Sequence, residues 1–548
     1  MSVIFNIFRM TRGKRRPPAP GISTTVKAVL VMAFYLLFSY AFTIVVGGVI
    51  FANNMDDYSP AIPLLFMSAE IAIFVFAFHM FRKHTARIEK IYPFMIAAGL
   101  LLLFVVNVRL GYMLRFDPAF DLGAIFTGAK EWATTGNFMD NMHPSVDVNY
   151  FYYFPNNLGG MSLLFLAFKA ASLFGATDYF AIAMIANALL ATATVLVTVL
   201  ICKRLFGVIQ SAMALMFILL SPPFYLIAPV FYTDSLSMVF PVLIVYLYLN
   251  LIDSETNKRK LFFAALIGAS CAIGMLIKFT VIIALIAILI HAILFKGLVP
   301  FLRMTAIAGA VITSVLLAFN LYFYSVHLDA NKADELNIPF THWIMMSLHD
   351  GSYDPSDYDF TLGFSDKDEQ RTAIDAHIKE RIEEKGLFGM LWLFFWKDIV
   401  SFGDSTYGQS DFLDDDPMND TKLHSVVLYD GRYYRRYKYV CSGTYDTMLL
   451  LMLLSAYSVL WRKNKTYDNM IPLLCIFGVM LFFMFWEVDG RYVANYIPII
   501  IVAAVSGLDV LMETARGKGT RTNLLAQWRA SVDNVSQDML NSTPKERP

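Results

Sequence analysis

Charged residues are scarce in this chain, so those set beside apolar runs are the first candidates for chemistry. Asp117 and Asp121 stand in Arg115-Phe116-Asp117-Pro118-Ala119-Phe120-Asp121, directly after a long apolar run. A carboxylate at such a point can take a proton from a substrate presented at a membrane surface, since desolvation beside lipid raises its pKa towards a useful range. The competing reading is that Asp121 caps a helix beginning at Leu122. Arg109 lies near the end of the same apolar run, where it can hold a lipid phosphate or simply snorkel to the interface. Farther on, Arg432-Tyr433-Tyr434-Arg435-Arg436-Tyr437-Lys438 places four cations just outside a span expected from residue 446. On a non-cytoplasmic side these oppose the positive-inside trend. Binding of anionic headgroups or phosphate explains them, because arginine forks match phosphate oxygens. The alternative is pairing with the acidic run at 414–416. Arg491 has a similar role open to it, with Glu487 and Asp489 as orienting partners. His342 beside Trp343 suits contact with a sugar or an acceptor, against the commoner structural role of a lone histidine. There is no tight His/Asp ligand cluster. An oxygen-only site for a divalent metal leaves no spacing signature, so the metal question stays open.

The elements that must position these residues are membrane spans. Of 548 residues, 57% are hydrophobic and 16% charged, and the mean hydropathy is +0.55. A soluble domain has about a quarter charged residues. The formal net charge of +0 leaves no nucleic-acid footprint at whole-chain level. The four cysteines are scattered through apolar runs, which indicates neither a disulfide framework nor a zinc site. Apolar runs near 26–51, 61–81, 92–113, 179–201, 206–222, 235–252, 261–277, 279–295, 304–325, 446–461, 470–487 and 493–511 predict about 12 crossings. The expected fold is an all-α polytopic membrane protein with two large extracytoplasmic loops that contain interfacial helices.

The expected order along the chain begins with a cytoplasmic basic arm (1–25) and two N-terminal spans (26–91). A transmembrane core (92–325) with an outer loop at 114–157 follows. Then come an extracytoplasmic region (326–445) with an interfacial helix at 386–402, the C-terminal spans (446–511) and a cytoplasmic tail (512–548). Arg82, Lys83, Lys203, Arg204, the 258–260 cluster, Lys296, Arg303 and Arg462 all fall on one side in this scheme, and that side is expected to be cytoplasmic. The basic arm precedes a full-length apolar run without a cleavage pattern, so the first span is read as retained. Parity then requires that 158–174 and 386–402 do not cross.

The ordered motifs resemble the C-type superfamily of membrane glycosyltransferases (GT-C). The resemblance rests on Asp121, Ala129 and Gly136, then Tyr153-Phe154-Pro155-Asn156-Asn157, Leu173-Phe174-Gly175 and Lys203-Arg204-Leu205-Phe206-Gly207. Pro339 to Met346, Asp350-Gly351-Ser352-Tyr353, Asp404-Ser405-Thr406 and Glu487-Val488-Asp489-Gly490-Arg491-Tyr492 are similar to its bacterial cell-envelope branch. It runs from about 90 to 511, with the spans at 26–51 and 61–81 outside it.

The resemblance implies an integral membrane glycosyltransferase that moves a sugar from a polyprenyl-phosphate carrier to an envelope glycopolymer, glycolipid or protein, on the outer face and with inversion. Asp121 is then the base, with Asp117 its rival. Lys278 stands where family members present a cation to the carrier phosphate, beside the other candidates Arg109, Arg432, Arg435, Arg436 and Arg491. Sugar or acceptor contacts fall to Tyr153, Asn156, Asn157, Asp234, His342, Trp343 and Glu487. Bland alternatives are a topological break at Lys278 and a helix cap at Asp234. Some members of the superfamily use a divalent metal and others do not. The rival functions are a transporter of polysaccharide or lipid-linked glycan and an outer-face glycan polymerase or ligase.

The sidedness is directly testable. A cysteine introduced at Ser365 is expected to react with an impermeant thiol reagent in intact cells, and one at Thr85 only after permeabilisation. Labelling at Thr85 in sealed cells would reverse the orientation.

Overall fold

The computed structural model describes residues 24–51, 59–414, 416–460 and 469–515. Most of the basic arm, the tail from 516 onward, Arg462 and Asp415 lie outside the described residues. Among the described residues, 10 helices are long and apolar enough to cross a membrane, by length and composition. They are Val26–Phe51, Ala61–Lys83, Thr85–Met113, Tyr179–Leu205, Thr233–Ile252, Asn257–Ile277, Leu298–Val326, Lys367–Gly403, Tyr434–Leu460 and Ala494–Ala515. Shorter apolar helices occupy Val208–Leu220, Phe279–Phe295 and Met470–Phe483. The described residues contain no β-strand, only an isolated bridge between Phe116 and Pro417. This is the expected all-α polytopic architecture. In hydrocarbon a helix satisfies its own backbone polar groups, so long apolar runs have no other stable form.

Each expected span falls on one of these helices, and the remaining helix is Lys367–Gly403. Residues 386–402 were expected as an interfacial helix of their own. The chain instead runs through them continuously, with a break at Gly386, whose φ of 56° is open to glycine at little cost. The first part is fastened to the outer-loop helices: Gln370 donates to the Thr361 carbonyl at 2.6 Å, and Arg381 clasps Asp357 at 2.6 and 2.8 Å. The apolar part lies on the first span, where Phe402 meets Phe42 edge-on at 5.8 Å. Its buried Lys397 donates to Ser347 Oγ at 2.8 Å.

Side-chain contacts sort the helix termini into two ends. At one end Arg204 bonds Asp253 at 2.6 Å, Lys203 lies over the Tyr92 ring and Gln210 bonds Asp509 at 2.9 Å. The opposite end gathers Asp121, Tyr232, Asp234, Lys278 and Arg491. Helix Leu158–Ser172 starts and finishes at this second end. Asn157 before it bonds Tyr150, and Asp178 after it makes a two-pronged pair with Arg115 at 2.7 Å. That pair holds the Asp178 carboxyl below its usual range and the Arg115 guanidinium above its own. Asp178 also accepts from Ala181 N–H and so caps Tyr179–Leu205.

Another boundary differs from expectation. The helix expected from 446 begins at Tyr434, so Arg435, Arg436 and Lys438 sit in its opening turns. Charged turns lower the local hydropathy without ending the helix.

Tyr434–Tyr457 and Ile497–Ala515 approach closely at Gly507, where an added Cβ would collide with the Leu451 carbonyl. Ser455 bonds Ser506 one residue away at 3.0 Å. Small residues at such crossings let helix backbones touch. Gly507→Val is therefore expected to destabilise the bundle by about 1–3 kcal/mol. Gly309→Val is the control, because no atom lies within 4 Å of a Cβ there. Thermal unfolding in detergent should separate the two; equal melting temperatures would mean that the helices are not in contact at Gly507.

Candidate functional site

The helix carrying Asp121 begins at Phe120 with Ala119 as its N-cap, and no side chain caps it. The capping role considered for Asp121 is thus not the one its carboxylate plays. Its Oδ1 accepts a hydrogen bond from the Tyr150 hydroxyl at 2.6 Å and its Oδ2 one from the Tyr232 hydroxyl at 3.0 Å. Asn157 in turn donates to the Tyr150 oxygen at 2.5 Å. Burial first, and the Asp121 charge second, push both phenols well above their usual range, so each remains a proton donor. Among the described residues only Phe120 (φ 48°) and Tyr407 (φ 61°) are non-glycine positions with left-handed backbone, and both adjoin this site. Such strain persists where the surroundings over-determine it.

The cations stand beside this carboxylate. Lys278 terminates helix Asn257–Ile277 in extended conformation and does more than break the chain: its ammonium bonds Asp234 and lies 4.7 Å from the centre of the Tyr492 ring. Asp234 is engaged by that lysine, and its Oδ2 is buried without a partner. The Arg491 guanidinium stacks over Tyr232, Phe412 and Tyr492 at 5.1, 5.2 and 5.5 Å. Its Nε lies 2.9 Å from Asp489, the orienting partner expected. Glu487 instead accepts from the Tyr492 hydroxyl at 2.6 Å, and burial raises its carboxyl above the usual range. A small cleft opens between Tyr232, Asp234, Gln409, Phe412 and Arg491. Gln409 donates to the Pro223 carbonyl at 2.9 Å, which fixes its amide and leaves its buried Oε1 unpartnered beside that cleft.

The loop after Gly403 carries Arg491 from behind. Asp404 accepts from Lys438 at 2.5 Å, from the Thr406 hydroxyl at 2.7 Å and from Gly408 N–H at 2.6 Å. Burial works against the Asp404 charge, but Lys438 and these donors outweigh it and hold the carboxyl below its usual range. Gly408 has φ 68°, and a Cβ there would strike the Arg491 side chain. Asn495 donates to Thr280 at 3.1 Å and Tyr496 to the Thr280 carbonyl at 2.8 Å, which tie the Arg491 segment to the Lys278 turn.

Of the sequence candidates, Asp121, Asn157, Asp234, Lys278, Glu487 and Arg491 thus come together. Asp117 is mostly exposed, 4.0 Å from His143. Tyr153 and Asn156 border the cluster, half-buried and exposed respectively. His342 is fully buried and bonded to Thr361 at 2.7 Å, and burial lowers its pKa to about 4. Trp343 stacks on Trp486 and nears Phe154. Arg109 is exposed on its helix. Arg432, Arg435 and Arg436 are exposed, with Arg432 and Arg436 over Tyr433, whereas Lys438 turns inward to Asp404 rather than to the acidic run. Sequence reasoning gave no role to Tyr150, Tyr232, Tyr492 or Phe412, and missed the Asp404–Lys438 pair. Their positions carry no local mark among so many aromatic residues. Among the described residues no group of three or more His, Cys, Asp or Glu side chains could hold a metal ion.

Fold and site together define a multi-pass, all-α membrane protein with carboxylates and cations gathered at one end of its bundle. The chain belongs to the family described as conserved hypothetical integral membrane protein, whose model matches residues 22–510. None of the curated proteins matches it. Among solved structures it is similar to the apo oligosaccharyltransferase of Archaeoglobus fulgidus, with 12% identity, 80% of this chain and 52% of that chain covered, and a TM-score of 0.42. The oligosaccharyltransferase AglB of Archaeoglobus fulgidus, in complex with an inhibitory peptide and a dolichol-phosphate, gives 11% identity, coverage of 84% and 53%, and a TM-score of 0.39. ArnT from Cupriavidus metallidurans, bound to undecaprenyl phosphate, gives 12%, 76% and 77%, and 0.31. The chain spans about half the length of the two oligosaccharyltransferase chains.

Lys438→Met is expected to leave the Asp404 charge buried and unpaired, a change that costs roughly 3–5 kcal/mol. The melting temperature in detergent should fall clearly. An unchanged melting temperature would show that the pair does not hold the loop behind Arg491.

Proposed function

We propose that this protein is a membrane glycosyltransferase of the GT-C type that moves a sugar from a polyprenyl-phosphate carrier to an acceptor hydroxyl or amide of the cell envelope. The observation that carries the reading is the convergence of Asp121 with Lys278 and Arg491 at one end of the bundle. Asp121 meets Tyr232, and the Tyr232 and Tyr492 rings lie under the two cations. A base and a pair of cations separated by aromatic rings suit displacement at an anomeric carbon. The acceptor loses its proton to Asp121 and attacks the sugar carbon. The bond to the carrier phosphate breaks, and its electrons leave on phosphate oxygen, where Lys278 and Arg491 stabilise the developing charge. One displacement inverts the configuration.

The residues around Asp121 and Asp234 do not form a ready metal-binding set. Both Asp121 oxygens accept from hydroxyls, and Asp234 Oδ1 is bonded to Lys278.

The face is proposed as extracytoplasmic, and the basic end, with Arg82, Lys83, Lys203 and Arg204, as cytoplasmic, in keeping with the positive-inside bias. The carrier phosphate is assigned to Lys278 and Arg491, with Arg109, Arg432, Arg435 and Arg436 reaching headgroups around the site. Sugar and acceptor would meet Tyr153, Asn156 and Trp343 along the rim and Asn157 and Glu487 deeper in.

Asp121→Asn tests the reading, since it keeps the size of the side chain and removes its basicity. Sugar transfer in membranes from a labelled polyprenyl-phosphate hexose is expected to fall by roughly 10²–10⁴-fold. Asp117→Asn is the control and should retain most activity. Normal transfer by Asp121→Asn, by Asp117→Asn and by the double variant would remove the carboxylate mechanism.

A further inference from the structure

Tyr232 and Tyr150 form a clamp on Asp121 whose geometry calls for a role of its own. Each carboxylate oxygen receives one phenolic proton, from turns that are far apart in sequence. The Tyr150 oxygen already accepts from Asn157, so its proton has Asp121 as its partner. Both rings are buried, which fixes the direction from which each hydroxyl approaches. A carboxylate has about four acceptor positions, and the clamp fills two. The remaining lone pairs are thereby held in one plane and one rotamer. Tyr232 has a second contact: its ring face lies under Arg491 at 5.1 Å. One side chain therefore touches both the carboxylate and the cation on which the reaction is proposed to depend.

We infer that Tyr232 and Tyr150 are positioning residues that hold the Asp121 carboxylate in one orientation, aimed at the acceptor, with Tyr232 also fixing its spacing from Arg491. The inference rests on the proposed glycosyl transfer and deepens it. Removing one donor frees one oxygen, so the carboxylate can rotate away from the line of attack.

The test uses Tyr232→Phe and Tyr150→Phe in the full chain. Membranes are assayed with a series of polyprenyl-phosphate hexoses that carry a radiolabelled sugar, and kcat and the KM for the donor are measured per amount of folded enzyme. Each variant is expected to lower kcat on the order of tenfold to a hundredfold through misaligned attack. The KM for the donor should stay unchanged in Tyr232→Phe, because the ring under Arg491 is retained. A merely structural tyrosine would lower the amount of folded enzyme and leave kcat per folded enzyme in place. An unchanged kcat in both variants, with active wild type, overturns the clamp and leaves the glycosyltransferase reading standing. Wild-type membranes that transfer no sugar from any donor in the series overturn that reading and the clamp with it.

Discussion

A charge inside an apolar bundle has to be closed on a partner, and the Asp234–Lys278 pair is the closure on which this site is built. Lys278 ends one span and Asp234 begins another, so their bond joins two helices at the same end of the bundle. Asn495 and Tyr496 attach a third span to the turn after Lys278. The backbone of Gly159 touches Leu276 just before it, which brings Asn157 and Tyr150 to the same place. A buried ion pair adds little to net stability, yet loss of one partner is costly. Its value here is registry: four separate segments are brought together around one pair of charges.

Aromatic rings give this arrangement its chemical character. Asp121 in direct contact with Lys278 or Arg491 would be a neutralised ion pair and a poor base. Instead, hydroxyls hold both of its oxygens, while the ring faces of Tyr232 and Tyr492 carry the cations. Cations over ring faces are attracted without losing their charge. The Asp121 carboxylate and the two cations thus stand close together, each held by aromatic side chains. Behind them, the Asp404–Lys438 pair and the left-handed turn at Tyr407 and Gly408 form the support for Arg491.

The spans were legible because hydropathy is a local property that survives any tertiary arrangement. The continuity of Lys367–Gly403 was not legible, because Gly386 divides an amphipathic stretch from an apolar one and the two read as separate elements. Asp121, Asn157, Asp234, Lys278, Glu487 and Arg491 stood out because polar groups at span ends are rare and need a reason. The tyrosines did not stand out. Tyr150, Tyr232 and Tyr492 differ from the other tyrosines only in what the fold places opposite them. The cation run, read as one patch, is divided by the fold. Its residues sit on a helix that begins at Tyr434, so helical rotation sends Lys438 inward to Asp404 while Arg432, Arg435 and Arg436 are exposed. Spacing along the chain shows that cations are near one another; the start of the helix decides which of them face the core.

The Asp121 end of the bundle is proposed to receive a lipid phosphate between Lys278 and Arg491. Cryo-electron microscopy of the full chain in lipid nanodiscs, with polyprenyl phosphate added, addresses it most directly. Phosphate density is expected within hydrogen-bond reach of both cations, with the Asp121 carboxylate on the side from which an acceptor would approach. Phosphate density held elsewhere, for instance at Arg435 and Arg436, with the space between Lys278 and Arg491 closed, would contradict it.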